Sequence, residues 1–506
     1  MTIEKFVTKK FLLEDQGRTF FPLATNSILI EHGEDKIRSF IAKIFTDDGR
    51  FLSQSRVHAA KDQFHLRRTM KLDVVAEYFL YDVIYSERAI FRKPHSPSKA
   101  SFGYRFQEGR PIPSSASYKE FRNLVSANTL IYGHFVGFDI SSYFNHIYHH
   151  DLVSWFATRG ANETNVKNFS KFFREINAGR SLDCLPQGLY PAKMIGSDFL
   201  RFVEDSHALK SEVIIRFMDD FYLFSDSKNT ILSDFDFIQR LLGQKGLSVN
   251  AAKTSFNRPH TEQASVQVNE LKKRLLERRR KIILSFSYDE EDDDSEVMYN
   301  PEEDILLDLS EDEIKYIESM LRDGRLEEED AELILTVMRK HTESVKGYLP
   351  HITREFPHLA KNIARFVEEI DDKEFVAKMV FDLLSDDSVL QEYQLFWFGM
   401  MLERSLLTTS LASSLISLLL DHVNSTDISK AKILEIDDQR FGLPELRDKY
   451  LSTSQSNWLS WASAVGCRGI KPIARNHMLS YFKNSSEMNK LVGEIIESIP
   501  PRIERG

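Results

Sequence analysis

The chain has 506 residues, of which 42% are hydrophobic and 28% are charged. These fractions are typical of soluble globular proteins and exclude collagen-like, mucin-like and wholly disordered chains. Two cysteines, Cys184 and Cys467, exclude a disulfide framework and a cysteine-rich zinc module. The N-terminus has no apolar signal core, and the most apolar stretch, residues 406–420, falls short of the roughly 20 residues of a membrane span. We therefore expect a cytoplasmic protein without a membrane partner, with about two to four domains.

The net charge of −10 is divided unequally along the chain. Residues 1–288 contain 42 Lys and Arg against 32 Asp and Glu, whereas residues 289–506 contain 24 against 44. A basic first part suits a polyanionic ligand, and an acidic second part would repel one. The change coincides with an acidic run at 289–296, of the kind found in solvated linkers. The sequence predicts a first domain over 1–288, an acidic linker over 289–300 and a second domain over 301–506.

The two predicted domains differ in their hydrophobic pattern. Before the linker, short runs rich in Val, Ile, Phe and Tyr alternate with helical patterns, which indicates an α+β fold. After the linker, apolar residues recur at helical spacing, for example at Ile314, Ile317 and Leu321. Such helices, joined by short polar turns, predict a HEAT-like array of stacked hairpins. Because no strict sequence repeat is present, a plain helical bundle stays an alternative.

Acidic residues follow or interrupt two β-prone runs. In VIIRFMDDFYLFS, at 213–225, two apolar runs flank Asp219 and Asp220, which predicts a β-hairpin with the acidic pair at its turn. In HFVGFDISSYFNHIY, at 134–148, the first run ends at Asp139. An isolated Asp-Asp pair is also a good turn pair. Three carboxylates that converged here would repel each other unless divalent cations lay between them, which is the requirement of two-metal phosphoryl or nucleotidyl transfer.

Two further segments complete a possible site. LPQG at 185–188 is a Pro-Gly turn before a predicted helix that runs through Met194 to Phe202. GLSVNAAKTSF at 246–256 places Lys253 in a loop or at a strand edge after a helix. Taken singly, the turn can be a helix start and Lys253 a solvated lysine; in chain order the four segments form a constellation.

In this order, FVGFDISSYF, LPQG, FMDD and GLSVNAAKT resemble motifs A, B, C and D of reverse transcriptases. The resemblance covers 134–256 and, more loosely, 1–288. It implies a nucleotidyltransferase that synthesises DNA with two bound Mg²⁺ or Mn²⁺ ions. The metal ligands and catalytic acids that it implies are Asp139, Asp219, Asp220 and, through its carbonyl, Ile140.

The same resemblance assigns a nucleotide pocket and a proton donor. Gln187 and Gly188 would line the pocket. Phe144 stands where a bulky residue blocks a ribose 2′-hydroxyl, which implies dNTP substrates. Lys253 would protonate the leaving pyrophosphate.

In SFGYRFQEGRPIP, at 101–113, the resemblance implies basic residues that hold the triphosphate. Arg105 and Arg110 are the candidates because guanidinium groups suit phosphate oxygens. A structural ion pair is an equal alternative for either residue. The first position of FMDD is Phe217, where most reverse transcriptases have Tyr, which points to a different handling of the primer end.

The helical second part distinguishes among reverse transcriptases. A polymerase core followed by about 200 helical residues is similar to the Abi (abortive infection, AbiK-like) group of bacterial antiphage polymerases, as are the stretches at 65–92 and 457–482. That resemblance implies a homo-oligomer that makes single-stranded DNA without a template, joined covalently to a tyrosine of the protein. The alternatives are a templated enzyme served by a partner RNA and an inactive helical scaffold.

Overall fold

The computed structural model describes residues 7–91, 96, 98–257, 271–279, 308–323, 326–386, 389–453 and 455–500. The chain forms two compact units, each assembled from separate segments. The first unit is Met1–Thr19, Lys43–Ser55 and Thr69–Val268, and the second is Phe20–Ala42, Arg56–Arg68 and Asn269–Gly506. The predicted boundary at 288 and the predicted linker over 289–300 lie outside the described residues, so these domain limits stay a prediction.

The strands of the described residues all lie before residue 258. They are β1 (Ser55–Ala60), β2 (Leu66–Lys71), β3 (Lys99–Phe102), β4 (Phe106–Gln107), β5 (Arg110–Pro111), β6 (His134–Phe138), β7 (Val213–Phe217), β8 (Asp220–Ser225) and β9 (Ser255–Phe256). β1 pairs with β2, and β4 pairs with β5. The remaining strands form a five-stranded sheet in the order β3-β7-β8-β6-β9, in which β3 runs parallel to β7 and the other pairs are antiparallel. The fold thus mixes helix and strand, as the sequence predicts.

Among the described residues, ten α-helices precede residue 258. They are α1 (Thr8–Gln16), α2 (Ala24–Thr46), α3 (Val74–Ser86), α4 (Ser114–Ile131), α5 (Tyr143–His146), α6 (His149–Thr158), α7 (Glu163–Ile176), α8 (Tyr190–Phe199), α9 (Arg201–Glu204) and α10 (Lys228–Gly243). α8 has a proline in its first turn, where the missing N–H costs no hydrogen bond. The helix that the sequence predicts to run through Met194 to Phe202 is divided at Leu200 into two helices, α8 and α9.

Helices cover both faces of the five-stranded sheet. On one face, α4 contributes Phe121 and Val125 to an apolar core. Its partners from the strands are Phe102, Phe135, Ile215, Tyr222 and Phe224. On the other face, the ring of Phe138 stacks on Phe221, with centroids 5.1 Å apart, and contacts Phe235 of α10 at 5.2 Å. Because side chains alternate between faces along a strand, residues 135, 137 and 139 point to the face that α4 covers.

The described part of the second unit beyond residue 270 is helical. Residues 271–279 are helical. They are followed by α11 (Glu311–Arg322), α12 (Glu328–Val337), α13 (Thr342–Val345), α14 (Leu349–Glu355), α15 (Ala360–Glu368), α16 (Lys373–Ser385), α17 (Glu392–Met401), α18 (Ala412–Asp421), α19 (Asp427–Leu434), α20 (Leu443–Ser452), α21 (Trp458–Gly466), α22 (Pro472–Lys483) and α23 (Glu487–Ser498). Among the described residues, no helix combines the length and the apolar character needed to cross a membrane.

Alternate helices of the second unit pack in sequence. α15 packs on α17, α17 on α19, α19 on α21 and α21 on α23. α16 packs on α18, and α20 packs on α22. A two-layer array of helical hairpins has this pattern of neighbours. It supports the HEAT-like description, which stays a proposal.

Within the second unit, the start of α2 is capped by a buried carboxylate from the segment between α19 and α20. Glu435 accepts hydrogen bonds from the backbone N–H groups of Ala24 and Thr25, at 2.9 and 2.7 Å. The Lys432 Nζ atom lies 2.7 Å from Glu435 and balances its charge. A carboxylate at a helix N-terminus satisfies unpaired N–H groups and interacts favourably with the helix dipole. Residues 411 positions apart thus complete one helix start.

We expect Gly466→Ala to destabilise the helical unit. A Cβ atom at residue 466 would lie 2.1 Å from the Leu434 carbonyl oxygen and 2.4 Å from Arg447 Nε. Arg447 is fully buried and donates to that carbonyl, so neither atom can move freely. The free energy of unfolding should fall by about 2 kcal/mol in urea denaturation. Gly347→Ala, where nothing lies within 4 Å, is the control and should stay within about 0.5 kcal/mol of the wild type. Equal stabilities would contradict this account.

Candidate active site

The acidic pair lies at the tip of the β7–β8 hairpin. Phe217 pairs with Asp220, so Met218 and Asp219 form the two-residue turn and Asp220 begins β8. Met218 has a φ of 54°, a left-handed conformation that suits a tight hairpin turn. The prediction of a hairpin is confirmed, with only the first acid in the turn itself.

Asp139 lies directly beside this pair. β6 pairs with β8 so that Phe138 is opposite Phe221, and the next position along the register places Asp139 opposite Asp220. The carboxyl groups of Asp139 and Asp219 are within hydrogen-bonding reach of each other. Asp139 is only 7% exposed. The structure therefore places the three predicted carboxylates beside one another at the adjacent ends of β6, β7 and β8.

The crowding of these acids changes their protonation. Burial, Asp139 and Asp220 raise the pKa of Asp219 to about 7. Burial and Asp139 likewise raise the pKa of Asp220 to about 6, against the opposing effects of Lys253 and Arg122. Both shifts favour the neutral acids, because close carboxylates repel each other in a poorly solvated site. A cation among them would relieve that repulsion.

Lys253 is held against Asp139 by the segment that follows α10. Asn250 N–H donates to the Asp139 carbonyl oxygen at 2.8 Å, and residues 251–253 form a short 3₁₀ helix. The Lys253 Nζ atom lies 2.8 Å from Asp139 Oδ2. Burial lowers the pKa of Lys253, but the hydrogen bond to Asp139 and the nearby carboxylates outweigh it, so the pKa lies above its usual value. Lys253 thus joins the site as a charged ammonium.

The three acids suit divalent cations by their chemistry. Carboxylate oxygens are the ligands that Mg²⁺ and Mn²⁺ prefer, and close carboxylates can bridge two such ions. Asp139, Asp219 and Asp220 would hold them, with the Ile140 carbonyl as a further donor. Within the described residues, no three His, Cys, Asp or Glu side chains form a ready set of metal ligands. The Lys253 ammonium already lies against Asp139, so a metal ion bound to that carboxylate would have to displace it.

Phe144 packs against α8, the helix that follows the LPQG turn. It lies in α5, is 6% exposed and reaches α8 at Gly196, where a Cβ atom would be 3.0 Å from Phe144 Cζ. The neighbouring Tyr143 hydroxyl donates to the Gly196 carbonyl oxygen at 2.7 Å. Gly196 thus allows the aromatic ring to approach the helix closely.

We expect Phe144→Val to relax discrimination against ribonucleotides. A smaller side chain leaves room for a 2′-hydroxyl, so the ratio of ribonucleotide to deoxynucleotide kcat/KM should rise about tenfold. The measurement is competing incorporation of labelled ATP and dATP. Phe64→Ala, at a 79% exposed position, is the control and should leave the ratio unchanged. An unchanged ratio in Phe144→Val would remove Phe144 from sugar selection.

The LPQG turn is anchored by backbone hydrogen bonds. The Gln187 carbonyl oxygen accepts from Thr69 Oγ1 at 2.6 Å, and Gly188 is buried. Tyr190 N–H donates to Asp15 Oδ2 at 2.8 Å. The turn is thus fixed by side chains from β2 and α1.

The two predicted triphosphate ligands lie in different surroundings. The Arg105 carbonyl oxygen accepts from the Tyr190 hydroxyl at 3.1 Å, which ties Arg105 to the start of α8. Arg105 is half-buried, and burial lowers its pKa. Arg110 is exposed at the start of β5. Arg105 is thus the one that the structure connects to the LPQG turn, and the phosphate role of both stays a prediction.

Three residues near the carboxylates are absent from the sequence-based prediction. Arg122 of α4 acts electrostatically on Asp220. Tyr118, one turn earlier, places its ring 5.1 Å from that of Phe217. Arg216, on β7 and next to Phe217 in the chain, is completely buried. Only Arg216 carries a signal in the sequence, because a charged residue interrupts an otherwise apolar strand.

Comparison with known families agrees with this geometry. Residues 94–316 match the family model described as "Reverse transcriptase (RNA-dependent DNA polymerase)". No curated protein matches the chain in a sequence search. The matched region includes the three carboxylates, Lys253 and the LPQG turn. The chain therefore carries a domain of the reverse transcriptase family at residues 94–316.

Proposed function

We propose that this protein is a DNA polymerase that adds deoxynucleotides by two-metal nucleotidyl transfer, starting on its own tyrosine and without a template. The observation that carries the proposal is the convergence of Asp139, Asp219 and Asp220 beside Lys253. The family match of this region supports polymerase chemistry. Defence against phage in the bacterial cytoplasm, by abortive infection, is the biological role that we infer from the resemblance to Abi polymerases.

The residues of the site divide the work of the reaction. Divalent ions bound to the three acids would lower the pKa of the attacking hydroxyl and stabilise the charge on the phosphates. The hydroxyl gives up its proton to solvent or to a nearby carboxylate, and its oxygen forms a bond to the α-phosphorus as the bond from that phosphorus to the bridging oxygen of the pyrophosphate breaks. Lys253 donates its proton to the leaving pyrophosphate. Gln187 and Gly188 contact the nucleotide, and Phe144 selects its sugar.

The placement of α4 supports an unusual primer. α4 covers the sheet face to which Asp139 and Asp220 point, so an acceptor reaches them at the strand ends. Tyr118 of α4 is 43% exposed and lies against Phe217, the cross-strand partner of Asp220. A phenol hydroxyl on this helix is a chemically suitable first acceptor. We therefore propose Tyr118 as the priming residue.

A templated reverse transcriptase with a partner RNA is the second candidate, because the basic charge of residues 1–288 suits a nucleic-acid backbone. An inactive helical scaffold is a third. Homo-oligomerisation is part of the proposal and is testable by sedimentation.

The test needs no added nucleic acid. Purified protein is incubated with labelled dNTPs and Mg²⁺ or Mn²⁺, and the products are separated on denaturing gels before and after proteolysis. Label that stays on the protein and runs as free DNA only after proteolysis supports protein priming without a template. Incorporation only with an added RNA and primer would favour the templated enzyme, and no incorporation under any priming condition would favour the scaffold.

Mapping the labelled peptide tests the priming residue. Tyr118→Phe should abolish the adduct, whereas Tyr148→Phe, at a site of similar exposure (41%), should not. An adduct on another residue would retain protein priming and remove Tyr118 from it.

A further inference from the structure

Arg216 is a fully buried charge next to the carboxylate turn. It lies on β7 with no exposed surface. Its Nε atom lies 2.5 Å from Glu204 Oε1, and Glu204 is 3% exposed. Burying a guanidinium group is unfavourable unless a carboxylate and further acceptors surround it. Arg216 and Glu204 therefore form a buried ion pair, although the residues around Arg216 on β7, Ile214, Ile215 and Phe217, are apolar.

One further nitrogen of Arg216 reaches both the turn and α8. Its Nη1 atom donates to the Met218 carbonyl oxygen at 2.8 Å and to the Ser197 carbonyl oxygen at 2.8 Å. The Met218 carbonyl belongs to the peptide bond that joins Met218 to Asp219. Arg216 thus fixes the peptide from which the Asp219 side chain extends.

α8 connects Arg216 to the segment that contains Asp139. Two consecutive carbonyl groups of α8 accept hydrogen bonds from opposite sides: Gly196 from the Tyr143 hydroxyl and Ser197 from Arg216. Tyr143 follows Asp139 by four residues, and α8 begins two residues after Gly188. α8 therefore contacts the segments that contain Asp139 and Asp219, and it directly follows the LPQG turn.

We propose that Arg216, neutralised by Glu204, is a positioning residue that sets the Asp219 carboxylate relative to Asp139 for metal binding. The inference rests on the proposed function in one respect, that the acids bind divalent cations. A guanidinium group is required because it bonds Glu204 and two carbonyl groups from one rigid plane. The point charge of a lysine cannot reproduce that geometry.

The experiment measures Mn²⁺ binding to the full-length protein by the loss of the free-ion EPR signal, alongside dNTP incorporation and thermal melting. Arg216→Lys keeps the charge opposite Glu204, so it is the first variant. We expect its Mn²⁺ affinity to fall about 10- to 100-fold, the range typical when a partner that orients a metal ligand is changed. Incorporation should fall with it, while the KM for dNTP should change by less than about threefold.

Two further variants keep the proposal testable if Arg216→Lys folds poorly. Arg216→Met combined with Glu204→Gln removes both charges together and leaves no buried ion unpaired; it should lose Mn²⁺ affinity as well. Arg447→Lys changes another fully buried arginine, whose partners are carbonyl groups of Leu434, Ile436 and Asp438. It controls for a general loss of stability and should bind Mn²⁺ as the wild type does.

The outcomes separate this inference from the proposed function. Wild-type Mn²⁺ affinity in folded Arg216→Lys would overturn the positioning role, whatever the wild-type enzyme polymerises. Weakened binding in the variant, together with a wild-type protein that incorporates no nucleotide, would support the positioning role and overturn the polymerase. A wild-type protein that incorporates nucleotide but binds Mn²⁺ no better than Asp219→Asn would overturn the positioning role alone.

Discussion

Replacing Asp219 with Asn should reduce deoxynucleotide incorporation by about 10³-fold, which corresponds to about 4 kcal/mol in the activation free energy. Asp219 lies in the β7–β8 turn, beside Asp139 and Asp220. An amide in its place removes both a charge and a ligand oxygen from the site where negative charge develops on the phosphates. The measurement is the initial rate of labelled dNTP incorporation at saturating Mn²⁺.

The same variant should not unfold. Because burial and two neighbouring acids raise the pKa of Asp219, its carboxylate opposes folding at neutral pH, and an amide relieves that opposition. We expect the metal-free variant to be at least as stable as the wild type in urea. Wild type should gain about 2.7 kcal/mol at a free Mn²⁺ concentration 100 times its Kd, and the variant should not.

Asp226→Asn is the matched control for Asp219→Asn. Asp226 is exposed just after β8, and its Oδ1 atom accepts from Gly133 N–H at 3.1 Å. It should retain wild-type incorporation and metal stabilisation. An Asp219→Asn protein that polymerised at more than a tenth of the wild-type rate would remove this residue from the chemistry.

Lys253→Met should separate turnover from metal binding. Loss of a general acid lowers the incorporation rate by about 10²-fold. The Nζ atom lies 2.8 Å from Asp139 Oδ2, where it competes with a divalent cation for the same carboxylate. Mn²⁺ affinity should therefore stay equal to that of the wild type or increase, opposite in direction to the change in rate.

Lys245→Met controls for the removal of a lysine near this loop. Lys245 pairs with Asp151 at 2.5 Å and is about a third exposed. Its loss should leave both the rate and the Mn²⁺ affinity unchanged. A Lys253→Met protein with weakened Mn²⁺ binding and a normal rate would show that Lys253 organises Asp139 and does not transfer a proton.

The part of the site that the sequence predicts is the part built from neighbouring strands. The acids at 139, 219 and 220 lie at the ends of apolar runs, and strand pairing alone brings such ends together. Lys253 follows from chain order, since the segment after α10 returns to pair with β6. The local hydrophobic pattern is thus enough to predict site residues that lie at the ends of paired strands.

Other features depend on contacts that no local pattern specifies. Arg122 and Tyr118 approach the carboxylates only because α4 packs on one face of the sheet, and an amphipathic helix does not state which face it will cover. The sequence predicts one helix that runs through Met194 to Phe202, whereas the structure has two, because the apolar pattern continues across the break between Phe199 and Arg201. Glu435 caps α2 from 411 positions away, a pairing that composition and periodicity cannot reveal.

That distant cap has a consequence for how the protein is made. The carboxylate that completes the first turn of α2 is synthesised some 400 residues after that turn. At roughly 5 to 20 residues per second, the nascent helix waits on the order of 20 to 80 s for its partner. During that interval the helix lacks its cap, and it carries Leu29, Ile30 and Ile37, which are fully or almost fully buried in the finished fold. A chain that is released before Glu435 is made would therefore contain an uncapped α2, and chaperone capture of such chains should depend on α2.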